Sequence, residues 1–217
     1  VISEFLQRHE CTIRMWLTRA GEFAKKLHAV FFQNLHLVHV QLDELHARVK
    51  HASNAVWVWV AMDAASKLIP VIQLGERSLE MAYAVGHELK QRLAWGCVPV
   101  FSSDGFKPYF STLTSHFGAW QPDPDTGKRV WRLNPDFLYA QVIKTRSRFR
   151  IKSVTRRLLF GSLEEYKARL KRIGLSGNIN TAYVERVNLT LRRQVAKLMR
   201  RTWAAAQHFH ELEEHLF

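Results

Sequence analysis

The 217 residues, 47% hydrophobic and 12% aromatic, suffice for one good-sized core plus a small appendage, and they exclude a disordered chain. A formal charge of +13, from 32 Lys and Arg against 19 Asp and Glu, points to a polyanion; nucleic acid comes before a membrane surface, because no basic amphipathic helix stands apart from the fold pattern. Cys11 and Cys97 lie far apart without metal-ligand spacing, no signal peptide is visible, and no apolar run nears the roughly 18 residues of a bilayer span.

Residues 1–30 read as helical. Ile13, Trp16 and Leu17 share one face, Thr12, Arg14, Arg19 and Lys25 keep the rest polar and basic, and Gly21 suggests a stop or a kink. This is either the second half of a helix-turn-helix or a plain linker helix. The chain opens on Val1 rather than Met, as a trimmed sequence would. Residues 35–42 are an aliphatic run ending at Asp43 and Glu44, the pattern of a buried strand with an acid at its C-terminal end. Residues 55–62 form a continuous β-rich apolar run suited to a central strand, and 63–66 form a turn. A third strand over 67–74 is confined to an edge by Pro70, completing an antiparallel meander.

From 76 to 95 the period changes to that of a helix, with Leu79, Ala82, Tyr83, Gly86, Leu89 and Leu93 on one face. Residues 97–103 are a short strand, again followed by an acid, Asp104, and 106–116 form a helix with Pro108 in its first turn. The turn-rich stretch 118–135 predicts a surface excursion, and 139–144 has strand character. Arg146, Arg148, Arg150, Lys152, Arg156 and Arg157 follow, interleaved with Phe149, Ile151 and Val154. That alternation suits a basic face anchored on the fold and touching a phosphate backbone better than a merely solubilising surface.

Ser162 to Glu165 is a capping box opening a helix to about residue 173. The next helix starts at Asn180 or Thr181, with Val184, Val187, Leu191, Val195 and Leu198 forming an apolar stripe. Glu185, Asn188 and Arg192 line the stripe beside it. Residues 204–217 read as a last helix carrying His208, His210 and His215, which the charged surroundings leave solvated.

Two strands that each run into an acid, Asp43 and Asp104, and a helix bearing Glu185 can converge at one sheet edge. Two unit charges about 4 Å apart repel by about 4 kcal/mol at an effective dielectric of 20. Either one acid takes up a proton or a divalent cation sits between them. Hard oxygen donors without a Cys or His pair favour Mg²⁺ or Mn²⁺ over Zn²⁺. Two such ions about 3.5–4 Å apart serve in-line phosphoryl transfer. If the strand end is misplaced by one residue, Glu44 replaces Asp43.

Leu42-Asp-Glu-Leu45, Ser103-Asp-Gly-Phe-Lys-Pro-Tyr109 and Asn180-Thr-Ala-Tyr-Val-Glu-Arg-Val-Asn-Leu-Thr-Leu-Arg192 resemble the three acidic motifs of bacterial insertion-sequence transposases with a DDE active site. The resemblance runs from about residue 35 to Trp203, and the third motif is its most specific part. It implies an α/β, RNase H-like mixed sheet of three antiparallel strands followed by alternating helices and strands, flanked by helices. Residues 1–30 would be the helical segment, 31–203 the catalytic domain and 204–217 a C-terminal helix. It further implies Asp43, Asp104 and Glu185 as catalytic metal ligands, two Mg²⁺ or Mn²⁺ ions, cleavage at mobile-element ends and transfer of the 3′-hydroxyl into target DNA. The Asp63–Lys67 turn is similar to a hairpin of that family, with Asp63 outside the ligand set.

Lys107, Arg146, Arg148, Arg150, Lys152, Arg186, Asn188, Arg192 and Arg193 are the DNA-contact candidates, with Arg186, Asn188 and Arg192 able to brace Glu185 instead. Expected partners are DNA and a second copy of the chain, with no membrane, and the expected location is the bacterial cytoplasm, at the nucleoid. The alternatives are a transposon-derived DNA-binding protein whose catalysis has lapsed and another RNase H-like nuclease.

Overall fold

The structure is a computed structural model describing residues 2–148, 150–199, 203 and 205–217, with Arg146 described by its backbone alone. Two helices lead in, α1 (Ile2–Leu6) and α2 (Glu10–Phe31). Helix α2 does not stop at Gly21 but runs through it. A Cβ at that position would come within 2.5 Å of the Glu214 carbonyl oxygen, so the glycine is needed for close approach of the C-terminal backbone. Thr18 donates to Glu214 at 3.1 Å and Lys25 to Glu213 at 2.6 Å, tying the first helix of length to the last residues. Its far side leaves Trp16, Phe23, Val30 and Phe31 exposed.

The strand expected over 35–42 begins later and runs further, as β1 (His39–Ala47). It pairs antiparallel with β2 (Val56–Asp63), which pairs antiparallel with β3 (Val71–Gly75), the expected meander. One buried carboxylate organises the β2–β3 turn. Asp63 accepts from the backbone of Val38 at 3.1 Å and of His39 and Ser66 at 2.8 Å each, and from the Ser66 hydroxyl at 2.8 Å. Pro70 directly precedes β3, which lies at the sheet edge.

Ser78 then caps α3 (Leu79–Arg92), accepting from the Met81 N–H. Strand β4 (Val100–Ser103) is followed by α4 (Lys107–His116), with Pro108 in its first turn. The surface excursion carries its own hairpin, β5 (Gly118–Pro122) and β6 (Arg129–Leu133), with Trp120 opposite Trp131. Strands β7 (Leu138–Ser147) and β8 (Arg150–Phe160) form a long antiparallel arm. Ser162 caps α5 (Leu163–Arg172), and α6 (Ala182–Gln194) continues into a 3-10 turn, Ala196–Leu198. The helix expected over 204–217 shrinks to α7 (Phe209–Glu213), and Ala204 is outside the described residues.

The fold is therefore α/β, with a mixed six-stranded sheet in the order β3-β2-β1-β4-β7-β8 and helices on both faces. On one face α3 and α4 pack over Leu42, Trp59, Phe101 and Tyr139. On the other, α6 covers Leu45, Val58 and Val60, while α5 covers Ala140 and Val142. Burying each large apolar side chain in these layers stabilises the fold by roughly 1.5–3 kcal/mol. Strand β4 lies parallel between β1 and β7 but has four residues where they have nine and ten. Its last partners are Leu42 and Gln141. Beyond those two residues β1 and β7 continue with nothing between them, and that gap is a cleft at the carboxyl end of β4.

Candidate active site

The cleft encloses about 990 Å³ and is lined by residues of β1, β7, α4 and α6 and by the loop before α3. Asp43 is the first β1 residue past the pairing with β4, so it stands inside the strand rather than at its end as expected. Successive strand residues point to opposite faces. Asp43 accordingly faces α6, where the Asn188 amide donates to its Oδ2 at 2.8 Å. Glu44 faces α4 and accepts from the Tyr109 hydroxyl at 2.8 Å and from Arg77.

Asp104 follows β4 where the chain leaves the sheet. Its Oδ1 accepts from the Phe106 N–H at 2.9 Å, an Asx-type turn that aims the chain into α4. Glu185 is delivered by α6, whose first turn is pinned to β1. Gln41 accepts from the Tyr183 and Val184 N–H groups at 3.1 Å each and donates to the Asn180 carbonyl at 2.9 Å. Asn180, one residue before the N-cap Thr181, accepts from the Ala182 N–H at 3.2 Å. Thr181 donates instead to the Glu185 carboxylate, which also pairs with Lys144.

Carboxylate oxygens of Asp43, Glu44 and Asp104 lie within 4.8 Å of one another. Burial, then repulsion from Glu44, Asp104 and Glu185, pushes the Asp43 carboxyl up to about 7. Burial also raises Asp104, against the pull of the Phe106 N–H and Arg77; it raises Glu44 together with repulsion from Asp104. A hard divalent cation fits this donor set, since it offsets the repulsion without removing an oxygen. Glu185 reaches the same cleft but is not part of the tight group.

Of the expected DNA contacts, Lys107 and Arg192 line the cleft. Asn188 also does, but it braces Asp43 rather than Glu185 or a phosphate, and its Oδ1 is buried without a hydrogen-bond partner. Arg186 and Arg193 are exposed on α6 outside the cleft. Arg148, Arg150 and Lys152 sit at the end of the β7–β8 arm, past the last β4 partner, and are not among the residues that line the cleft. No face of that arm is anchored there. Strand β8 is exposed on both faces from Arg150 to Arg157, because β7 beyond Gln141 has no sheet to lie on. The Arg146 side chain is outside those described.

Gln41, Arg77, Tyr109 and Lys144 are not among the site residues expected from the sequence, and Thr181, expected as a cap, bonds Glu185 instead. Arg77 falls inside the helix expected over 76–95, whereas α3 begins only at Leu79 and leaves it in the preceding loop. Lys144 stands at the end of an expected strand, and its closeness to the basic run is a signal that could have found it. No protein-family model matches this chain, and none of the curated proteins matches it.

Proposed function

We propose that this chain is a DNA transposase of the DDE type, with an RNase H-like catalytic domain, cutting phosphodiesters at mobile-element ends and joining the 3′-hydroxyl to target DNA. One observation carries the reading: acids 61 and 81 positions apart in a +13 chain, Asp43, Asp104 and Glu185, all line one cleft. A structural domain that only held DNA would have no use for three carboxylates gathered in one open groove, two of which, Asp43 and Asp104, are raised by burial and by their acidic neighbours.

In the proposed reaction Asp43, Asp104 and Glu185 would hold Mg²⁺ or Mn²⁺, which when bound would supply a Lewis acid for the attacking and leaving oxygens. The chain's own residues do the positioning. Asn188 fixes one Asp43 oxygen and leaves the other for the cation, and Gln41 keeps α6 and thus Glu185 at a set height over β1. Lys107, in the first turn of α4, faces the cleft where a phosphate oxygen would lie. In cleavage, a water oxygen attacks phosphorus and the bond to the 3′-oxygen breaks, giving a 5′-phosphate and a 3′-hydroxyl, with the remaining water proton passing to solvent. In transfer, that 3′-oxygen loses its proton and attacks a target phosphorus, whose bond to the target 3′-oxygen breaks and frees a target 3′-hydroxyl. The basic β7–β8 arm would grip the duplex beside the cleft.

The same reading proposes self-association on two DNA ends and a place in the bacterial cytoplasm, at the nucleoid; among the described residues no helix is long and apolar enough to cross a membrane. A melting experiment tests it. Mn²⁺ is expected to raise the Tm of the wild type and not of Asp104→Ala, because a ligand bound only by the folded state stabilises it. No shift in either protein would leave only a DNA-binding protein whose catalysis has lapsed.

A further inference from the structure

Four carboxylates and four fixed cations line the cleft: Asp43, Glu44, Asp104 and Glu185 against Arg77, Lys107, Lys144 and Arg192. Arg77 and Lys144 rest on carboxylate oxygens from opposite walls. Arg77 pairs with Glu44 and comes to 3.9 Å from Asp104, and Lys144 pairs with Glu185. We propose that Arg77 and Lys144 are phosphate-positioning residues that neutralise the cleft while no divalent ion is bound and turn to the phosphodiester once one is. The proposal rests on the reading of the cleft as a divalent-ion site.

Both acids can spare these partners. Glu44 keeps the Tyr109 hydroxyl, and Glu185 keeps the Thr181 hydroxyl, so neither carboxylate is orphaned when its cation swings away. That distinguishes these pairs from a buried strut, in which removing one charge strands the other. Arg77 also has a seat of its own. Its guanidinium lies 3.9 Å from the Phe106 ring centroid and 5.3 Å from that of Trp57, contacts that do not depend on the acids. From that seat the planar fork can present two N–H groups to two phosphate oxygens, which a point charge cannot. Lys144 sits where β7 borders the cleft and reaches in on a flexible stem.

Charge gives the direction. Each divalent ion adds two positive charges among the same oxygens, so a guanidinium and an ammonium already there become like-charge neighbours of the ion. The oxygens of a phosphodiester are then the nearest anionic partners left for them.

The test measures Mn²⁺ binding to the free protein and single-turnover nicking of supercoiled plasmid at saturating Mn²⁺. Arg77→Met and Lys144→Met are each expected to bind Mn²⁺ about tenfold tighter, since a like charge is gone. Each is expected to nick about a hundredfold more slowly, the usual loss for one donor at a reacting phosphate. Arg77→Lys and Lys144→Arg, which keep the charge, should bind Mn²⁺ as the wild type does; Arg77→Lys should still nick slowly, for want of the fork. Unchanged or weaker Mn²⁺ binding in the methionine variants, with only a lower Tm, would make both residues struts and overturn the proposal. A wild type that binds no Mn²⁺ would sink the divalent-ion reading itself, and this inference with it.

Discussion

The two walls of the cleft grow from opposite faces of one strand, and they are built differently. On the α4 wall Glu44 is sealed in, its side chain 2% exposed, and both a tyrosine and an arginine bond it. On the α6 wall Glu185 is 41% exposed, held by one hydroxyl and one flexible ammonium. Asp43 and Asp104 stand between, at the place where β4 ends. The difference separates two jobs that sequence neighbours can have. A carboxylate bonded a second time inside its wall shapes the field of the cleft and is not stranded when its cation turns away, while one that opens to solvent exchanges partners more freely.

Ways to break that comparison range widely in expected size. Asp43→Asn, Asp104→Asn and Glu185→Gln should each lower plasmid nicking by a thousandfold or more, about the loss of an essential catalytic group, while duplex binding in a gel-shift assay persists. Glu44→Gln should cost far less, and an equal loss would move Glu44 into the ligand set and erase the contrast between the walls. Asn188→Ala should weaken Mn²⁺ binding by about 10–100-fold, the usual cost of losing a group that orients a ligand.

The pH dependence follows from Asp43. Because its carboxyl is raised from 3.8 to about 7 on folding, the folded chain keeps a proton that the unfolded chain has released between those values. The Asp43 contribution to the stability of the ion-free protein should therefore fall as pH rises from about 4 to about 7 and level off above that. His39, held down to about 4 by burial, works the other way over the same range, so the Asp43 contribution is read as the difference between wild type and Asp43→Asn in chemical denaturation at several pH values. Mn²⁺ affinity should run the other way, gaining about tenfold per pH unit up to about 7, since the ligand must first lose its proton. A flat difference between the two proteins, with a flat Mn²⁺ profile, would mean that Asp43 is already ionised in the cleft.

Tyr109→Phe takes a hydroxyl from buried Glu44 and should destabilise by about 1–3 kcal/mol in urea unfolding, with little effect on Mn²⁺ binding. The smallest effect belongs to the arm. Replacing Arg148 and Arg150 with Gln should lessen the slope of log K against log salt by about 0.9 for each phosphate the arm no longer neutralises. An unchanged slope would put the duplex elsewhere on the molecule.

The meander, the edge position of β3, the caps of α5 and the helix bearing Glu185 were legible because each rests on local chemistry: alternation, a proline, a capping serine, a stripe at helical spacing. The acids were legible as types following strand-like runs, though Asp43 lies within its strand. That misplacement came from reading the end of an aliphatic run as the end of a strand, whereas β1 carries on beside a cleft, where polar residues are tolerated. Gly21 misled for a related reason, since what it accommodates is the backbone of Glu214, 193 positions away. Arg77 and Lys144 were hidden because their importance lies in which carboxylates the fold sets beside them. The alternation of the basic run suggests an anchored face, but β8 is exposed from Arg150 to Arg157, and past the end of β4 Arg156 reaches the rest of the fold by donating to the Ile179 carbonyl at 3.0 Å.

Diffraction from crystals soaked in Mn²⁺, collected at the manganese edge, tests the central claim most directly. Anomalous density in the gap beyond β4, in contact with carboxylate oxygens of Asp43, Asp104 and Glu185, is the result expected. A cleft without such density at saturating Mn²⁺, or ions bound only at other carboxylates of the surface, would contradict it.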